Sequence, residues 1–248
     1  GFEATTDSCN CINYFFNGLS LAKSGNSLEI AVASTLKYYI FNDAIFNINY
    51  CLVTHSMVEI AGLLDNNENN PRMKYLRKAV CCPNTGQEIF LAGLDYRTTD
   101  KAPEKFFFKG PFFSLLRGKE NLPLRTLGIF NLEDEKRIIT VTADELELPA
   151  GKYLAWDVWN SRVIEFEESF SVEIAAHGSA LYSIIPMNKQ MQILDTDLKV
   201  TDIEQTPDGL QLTFAFAGKA IINYFDGKEI KTCEFESAAP GDMCIIKY

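Results

Sequence analysis

The chain has 248 residues, of which 47% are hydrophobic and 23% are charged, so it is long enough to fold as one large or two ordinary domains. Its formal net charge is −10 and Lys and Arg do not cluster, so a surface that binds nucleic acid is not expected. No apolar run reaches the length of about 18 residues that a membrane-spanning helix needs, and no membrane association is predicted.

Residues 1–100 carry their apolar residues in blocks, and we predict a mixed segment of helices and strands there. Asn70-Pro71 is typical of a helix start, because Pro is tolerated in the first turn, so a helix is predicted over residues 72–80. Asp43 is predicted to form a turn or a helix cap, with a substrate contact as the alternative. His55 has a serine beside it, but catalytic pairs are recognised by spatial roles, and a half-buried structural histidine is predicted.

Residues 97–111 are polar, contain two prolines and are the predicted linker between the first segment and a second domain over residues 101–248. Phe106, Phe107 and Phe108 lie within this linker. Together with the phenylalanines that follow, they cannot all be exposed without forming a sticky patch. We therefore expect them either to join the N-terminal segment to the second domain or to bind another protein chain or a missing domain.

The second domain has the pattern of short antiparallel strands. Between Leu127 and Pro186, apolar residues recur at alternate positions and turn-forming residues separate the runs, which predicts a β-sandwich. Pro207-Asp208-Gly209 and Asp226-Gly227 predict two further hairpin turns. The predicted fold class is α+β, with a C-terminal antiparallel β-sandwich after the mixed segment.

Two tryptophans lie close together in the predicted sandwich. Trp156 and Trp159 are three positions apart, so they are predicted to point to opposite faces of one strand. The sandwich core and a domain interface are the expected places for them. Stacking of one ring on a sugar is the alternative, because aromatic faces are platforms for sugar binding.

The seven cysteines indicate thiols rather than a disulfide framework, because their number is odd and the chain is too large to need disulfides for stability. The Cys9–Cys11 and Cys81–Cys82 pairs lack the two-residue spacing of structural zinc sites, and His55 and His177 stand alone. Neither a metal nor another cofactor is predicted. The acidic charge and the unpaired thiols favour the cytoplasm.

Several runs in residues 128–182 carry a family resemblance. The runs Gly128-Ile129-Phe130-Asn131, Leu148–Tyr153, Asp157-Val158-Trp159 and Ile174–Tyr182 resemble the C-terminal sandwich of the clan that contains α-galactosidases and raffinose synthases (glycoside hydrolase families 27, 31 and 36). The later strands are similar to the raffinose-synthase branch, which is family 36-like. In this resemblance the matching residues are structural, and His177 belongs to a turn.

The resemblance extends more faintly to the first hundred residues. Ala22–Ser34 and Leu76–Pro83 are similar to segments near the end of a catalytic (β/α)8 barrel. A whole barrel needs about 200–250 residues, and retaining glycosidases need two carboxyl groups about 5–5.5 Å apart. In the clan these groups are two Asp residues. The strand that carries the nucleophile has no counterpart here, and Thr35, Leu36 and Lys37 stand where the proton donor is expected.

The sequence therefore leaves two principal interpretations. In the first, the chain is the C-terminal portion or a truncated relative of an α-galactosidase or raffinose-synthase-like glycoside hydrolase, without a recognisable complete catalytic carboxylate pair. In the second, it is a non-catalytic β-sandwich module that binds a glycan or a protein. A small enzyme that uses residues not recognised here is a third interpretation. No catalytic residue is predicted, and Trp156, Trp159 and Asp43 are the candidates for substrate contact.

Overall fold

The computed structural model describes residues 30–31, 41–54, 58–59, 75, 77–78, 88–93, 103–114, 123–188 and 190–247. Helix α1 spans Phe41–Thr54. The described strands, in chain order, are β1 (Ile30–Ala31), β2 (Val58–Glu59), β3 (Phe90–Leu91), β4 (Lys105–Lys109), β5 (Arg125–Phe130), β6 (Arg137–Thr142), β7 (Tyr153–Asp157), β8 (Arg162–Phe166), β9 (Ser169–Ile174), β10 (Ser179–Pro186), β11 (Gln192–Thr196), β12 (Val200–Thr206), β13 (Gly209–Phe214), β14 (Gly218–Phe225), β15 (Ile230–Ser237) and β16 (Met243–Lys247).

A six-stranded antiparallel sheet forms the centre of the described structure. Its strand order is β3-β4-β5-β10-β7-β8. The first strand of this sheet, Phe90–Leu91, precedes the predicted domain boundary at residue 100 and pairs with β4. The predicted β-sandwich is confirmed, because β6 and β9 form a second sheet against one face of this one. In β9 every second residue is buried, as the alternation in the sequence predicted.

Strand β4 corrects the prediction of a linker over residues 97–111, because it lies inside the central sheet. Phe107 packs in the core under β6 and β9, whereas Phe106 and Phe108 point to the opposite face and belong to a second core. The three side chains are at most 1% exposed. They are therefore not exposed to another chain in the described structure, and a protein partner or missing domain stays a prediction. The interpretation that they join the N-terminal segment to the sandwich fits, because Phe106 contacts Tyr50 of helix α1 at 5.9 Å between ring centroids.

Helix α1 packs against the second face of the central sheet. Its buried residues include Phe46, Tyr50 and Val53, which lie three to four positions apart and so share one helix face. The rings of Phe46 and Tyr50 meet Phe130 of β5 edge to face, with centroids 5.0 and 6.0 Å away. This contact anchors the helix to the sandwich.

The short strands that flank helix α1 pair with each other in parallel, with Ile30 opposite Val58 and Ala31 opposite Glu59. Of the predicted helix over residues 72–80, the structure describes Tyr75, Arg77 and Lys78, and these three are helical. The described part of the chain contains no helix that is both long enough and apolar enough to cross a membrane.

The C-terminal residues form two three-stranded antiparallel sheets, with orders β11-β14-β15 and β12-β13-β16. Both predicted hairpin turns are confirmed, since Thr206 pairs with Gly209 and Phe225 pairs with Ile230. Gly209 has φ +153°, and a Cβ there would lie 1.9 Å from the carbonyl oxygen of Ile246. Only glycine can therefore occupy this position, which lies beside β16.

Candidate functional site

The Gly128–Asn131 run holds the sandwich and the helix together. A Cβ on Gly128 would lie 2.9 Å from both γ-carbons of Val53, so glycine is what allows helix α1 to approach β5. The fully buried Asn131 side chain donates to the carbonyl oxygens of Glu135 at 2.7 Å, Ala175 at 2.9 Å and Ile174 at 3.2 Å. These contacts tie the β5–β6 turn to the end of β9. This run is therefore structural, as the resemblance implies.

His177 lies in the turn between β9 and β10 with φ +50°. Its backbone N–H donates to the carbonyl oxygen of Glu133 at 3.3 Å, and its Nε2 lies 2.8 Å from Asp134 Oδ1. Because left-handed backbone is uncommon for residues with a Cβ, these contacts explain how the turn is held. The structure thus agrees with the prediction that His177 belongs to a turn.

A buried polar network lies where the sandwich meets the C-terminal sheets. Asp195 is 1% exposed, and its carboxylate accepts from Lys78 Nζ at 2.7 Å, Trp156 Nε1 at 3.0 Å and Asn223 Nδ2 at 3.3 Å. Lys78 also donates to the carbonyl oxygen of Val158 at 3.2 Å. A buried charge is tolerated only when it is paired and hydrogen-bonded, and this network meets both conditions. The network joins the N-terminal segment, through Lys78, to the sandwich, through Trp156, and to the C-terminal sheet that holds Asp195 and Asn223.

The structure corrects the prediction that the two tryptophans lie on opposite faces of one strand. Strand β7 ends at Asp157, so Trp159 lies in the following turn and packs against the same core as Trp156. Trp156 is 4% exposed and fills that core, so its ring is not open to a sugar. Trp159 is half-buried; its Nε1 donates to Asn49 Oδ1 at 2.6 Å, and its ring meets Tyr75 edge to face at 4.9 Å.

A pocket with a volume of about 160 Å³ opens beside this turn, at the end of the sandwich next to helix α1. Its polar lining includes Asp157, Asn160, Glu173, Ser179 and Tyr182, and Ile45 of the helix contributes an apolar side. The pocket therefore combines carboxylate, amide and hydroxyl groups over a small area. Such groups can form the directional hydrogen bonds that fix a small polar ligand.

The hydrogen bonds around Asp157 set the chemistry of this pocket. Asp157 Oδ1 accepts from the backbone N–H groups of Trp159 and Asn160, each at 3.1 Å, and Oδ2 accepts from Asn160 Nδ2 at 2.8 Å. Burial, followed by the nearby Asp157 carboxylate, raises the pKa of Tyr182 far above its ordinary value. Tyr182 therefore keeps its proton over the physiological range and presents a donor hydroxyl beside an acceptor carboxylate.

Asp43 is the third residue of helix α1, so it lies inside the helix rather than in the turn or at the cap position that the sequence had predicted; its contact with a substrate stays a prediction. His55, Cys9, Cys11, Cys81 and Cys82 lie outside the described residues.

Within the described ranges, no group of three or more His, Cys, Asp and Glu side chains is arranged to hold a metal ion.

Sequence reasoning missed the polar roles of Asp157, Asn160, Ser179 and Tyr182. A signal for the first two was present, because an Asp followed by Asn three positions later is typical of a side-chain-capped turn. No local signal was present for the contact of Asp157 with Tyr182. These two residues become cross-strand partners only when β7 pairs with β10.

Comparisons with known proteins agree with the motifs. A family model described as the alpha galactosidase C-terminal beta sandwich domain matches residues 125–184. No curated protein sequence matches the chain significantly.

Several solved structures are similar to the chain. A GH27 β-L-arabinopyranosidase from Geobacillus stearothermophilus is 12% identical with a TM-score of 0.44, and the match covers 60% of this chain and 31% of that one. The α-galactosidase I of Mortierella vinacea is 15% identical with a TM-score of 0.41 (60% and 37% covered), and the isomalto-dextranase of Arthrobacter globiformis T6 is 11% identical with a TM-score of 0.47 (87% and 46% covered). The match thus covers less than half of the length of each.

The family match covers strands β5 to β10 almost completely, and the structure forms these strands into the two facing sheets of a sandwich. Residues 125–184 are therefore similar in sequence to an α-galactosidase C-terminal β-sandwich domain, and they fold as a sandwich.

Proposed function

We propose that the chain is the C-terminal portion of an α-galactosidase-like glycoside hydrolase that hydrolyses or transfers α-galactosyl groups with retention. The observation that carries this proposal is the family match over residues 125–184, which is to a domain that ends such enzymes. In the same proposal, residues 1–100 form the end of the barrel domain and residues 101–248 form the β-sandwich.

The region around helix α1 supports the barrel part of this proposal. Strands β1 and β2 are parallel and the helix lies between them in sequence, so the three elements form a strand–helix–strand unit. This unit is the repeat from which (β/α)8 barrels are built. Its helix packs on the central sheet through Phe46 and Tyr50, and this packing would fix the orientation of a barrel relative to the sandwich.

The two carboxylates of the reaction would come from barrel strands outside this chain. Retaining hydrolysis requires one carboxylate to attack the anomeric carbon and a second to donate a proton to the departing oxygen, about 5–5.5 Å away. Thr35, Leu36 and Lys37 cannot act as that donor, since none of them carries a carboxyl group. The sandwich would then support the barrel without taking part in bond cleavage.

The length of the natural reading frame and an activity assay test this proposal together. Several hundred upstream residues that contain two facing Asp residues are expected, and the longer protein is expected to release the chromophore from a chromogenic α-galactoside. The 248-residue chain alone is expected to be inactive. Activity of the short chain, or an upstream sequence without barrel strands, would contradict the proposal.

A second candidate function is the binding of a glycan by a non-catalytic module, and the pocket beside helix α1 favours it. A cavity of about 160 Å³ is small, of the order of one sugar ring, and Asp157, Asn160 and Tyr182 offer it both acceptors and a donor. Trp159 lies in the adjoining turn and keeps part of its surface exposed. This function requires no barrel.

Titration of the 248-residue chain with galactose, glucose and raffinose, followed by calorimetry, tests the second function. Asn160→Ala is expected to weaken binding about five- to tenfold, because each lost hydrogen bond to a sugar is worth about 1–1.5 kcal/mol. Asn188→Ala, in an exposed turn away from the pocket lining, is the matched control and should leave binding unchanged. No heat with any of these sugars, or an equal loss in both variants, would count against a binding role.

A further inference from the structure

The two C-terminal sheets face each other across a shared core. Phe214 of β13 and Phe235 of β15 stack with centroids 5.4 Å apart and planes within 16°, so these strands present the same interior to each other. Because side chains alternate along a strand, Cys233 points to the same interior as Phe235. Cys244 likewise shares the interior face of β16 with the buried Ile246.

The pairing of each cysteine with its neighbouring strand confirms this orientation. Cys233 is opposite Ile222 and Cys244 is opposite Leu212, and both partners are completely buried. Residues directly opposite in an antiparallel pair lie on the same face of the sheet. The two cysteines therefore enter the space between the sheets from opposite sides.

Their strands are the edges of their respective sheets. Strand β15 ends the order β11-β14-β15, and β16 ends the order β12-β13-β16. The two thiols are half-buried, and each lies close enough to the other to affect its pKa. The connecting turn is itself held, because Asp242 Oδ2 accepts from the backbone N–H groups of Ala238 at 2.6 Å and Ala239 at 3.0 Å. The thiols thus lie at the edge of the module where a turn connects its two sheets.

We propose that Cys233 and Cys244 are a redox-active pair that forms a disulfide between the two sheet edges by exchange with a small disulfide such as oxidised glutathione. One Cys thiolate attacks a glutathione sulfur and releases one glutathione thiolate, which leaves a mixed disulfide. The second Cys thiolate attacks the protein sulfur of that mixed disulfide and releases the second glutathione thiolate. The two protein thiols lose two protons and two electrons, and glutathione disulfide is reduced to two thiols.

The surroundings of the pair make this exchange dependent on pH. Burial raises the pKa of Cys244 to about 11, with a further contribution from the neighbouring Cys233, whose own pKa is also raised by burial. Because the thiolate is the attacking species, the rate should increase about tenfold for each pH unit between neutral pH and pH 9. The pair is therefore expected to stay reduced for long periods at neutral pH and to close quickly at alkaline pH.

The experiment treats the full chain with oxidised glutathione at pH 9, stops exchange with acid and maps the peptides without reduction. The expected product is a peptide in which Cys233 is linked to Cys244, with the loss of two hydrogen atoms from the intact mass. The crosslink closes a short loop, so Tm should rise by about 5–10 °C and return to its first value after reduction with dithiothreitol. This measurement needs no variant.

Two variants sharpen the test. Cys233→Ser should retain a glutathione adduct on Cys244 and show no gain in Tm after oxidation. Cys51→Ser changes a thiol that is buried in another part of the core, so this control variant should still form the crosslink. Three results would overturn the proposal: a lasting glutathione adduct on the unaltered chain without a crosslink, a crosslink of either cysteine to a different cysteine, or a Cys233–Cys244 crosslink that leaves Tm unchanged.

Discussion

Replacing Lys78 with Met tests the buried network at the junction of the sandwich and the C-terminal sheets. Lys78 Nζ lies 2.7 Å from Asp195 Oδ1, and the two side chains are 14% and 1% exposed. Met keeps most of the volume of the Lys stem but removes the charge. The Asp195 carboxylate then retains two neutral donors, Trp156 and Asn223, and no cation.

The expected loss follows from this burial. Removing one partner of a buried ion pair costs about 3–5 kcal/mol, because the other charge stays in a poorly solvated place. Water reaches part of Lys78, so the lower end of the range applies, and we expect a loss of about 3 kcal/mol. For a chain of this length, that loss lowers Tm by about 6–12 °C.

Urea unfolding followed by tryptophan fluorescence measures this loss directly. The chain has only two tryptophans, and both lie at the junction: Trp156 donates to Asp195, and the ring of Trp159 lies 5.6 Å from Lys78 Nζ. The fluorescence transition therefore reports on the same region that the substitution changes. A lower midpoint with an unchanged slope would show a loss of stability rather than a change in the unfolded state.

Two further variants make the reasoning refutable. Lys136→Met removes an exposed ion pair with Glu173, whose side chains are 64% and 58% exposed, and should cost less than about 1 kcal/mol. The double variant Lys78→Met with Asp195→Asn should be more stable than Lys78→Met alone, because the uncompensated charge is gone. The network does not stabilise the junction as argued if Lys78→Met costs as little stability as Lys136→Met. The same conclusion follows if the double variant is the least stable of the set.

Three other predictions concern separate parts of the fold. Gly128→Ala should destabilise the chain by about 1–3 kcal/mol in urea unfolding, because its Cβ would lie 2.9 Å from Val53; a neutral effect would show that helix α1 moves freely. Asn131→Ala should cost about 1–3 kcal/mol by leaving buried carbonyl groups without a donor, and Tm measurement checks it; an unchanged Tm would mean that water replaces the amide. The free energy of unfolding should fall as pH rises from about 9 to about 11, because the pKa of Cys244 is about 9 in the unfolded chain and about 11 in the folded chain. Cys244→Ser should flatten this part of the plot of stability against pH.

Local sequence patterns were sufficient to predict many of the strands and turns of the β region. Ser169–Ile174 alternates between exposed and buried residues. Such a pattern places polar side chains on one face of a strand and apolar side chains on the other, and it can be recognised without knowledge of the rest of the fold. Pro207-Asp208-Gly209 predicted a hairpin because its residues favour the required backbone angles locally. The family motifs also depend on short runs, such as Gly128–Asn131, and could be read without any structure.

Tertiary structure decided what these patterns left open. The polar residues around Phe106–Phe108 indicated a linker, but these residues form a strand inside the central sheet. Three consecutive aromatic residues can be buried in a strand only when both faces of the sheet are covered. Here the residues that cover the two faces come from distant elements.

Trp159 lies outside the strand that the alternation in the sequence predicted for it, because the chain turns after Asp157. Lys78 and Asp195 are 117 positions apart, and the thiols of Cys233 and Cys244 meet only because two separate sheets stack. Alternation and turn chemistry act between neighbours along the chain, so they specify strands and turns. The pocket, the buried ion pair and the thiol pair depend on which surfaces are packed together.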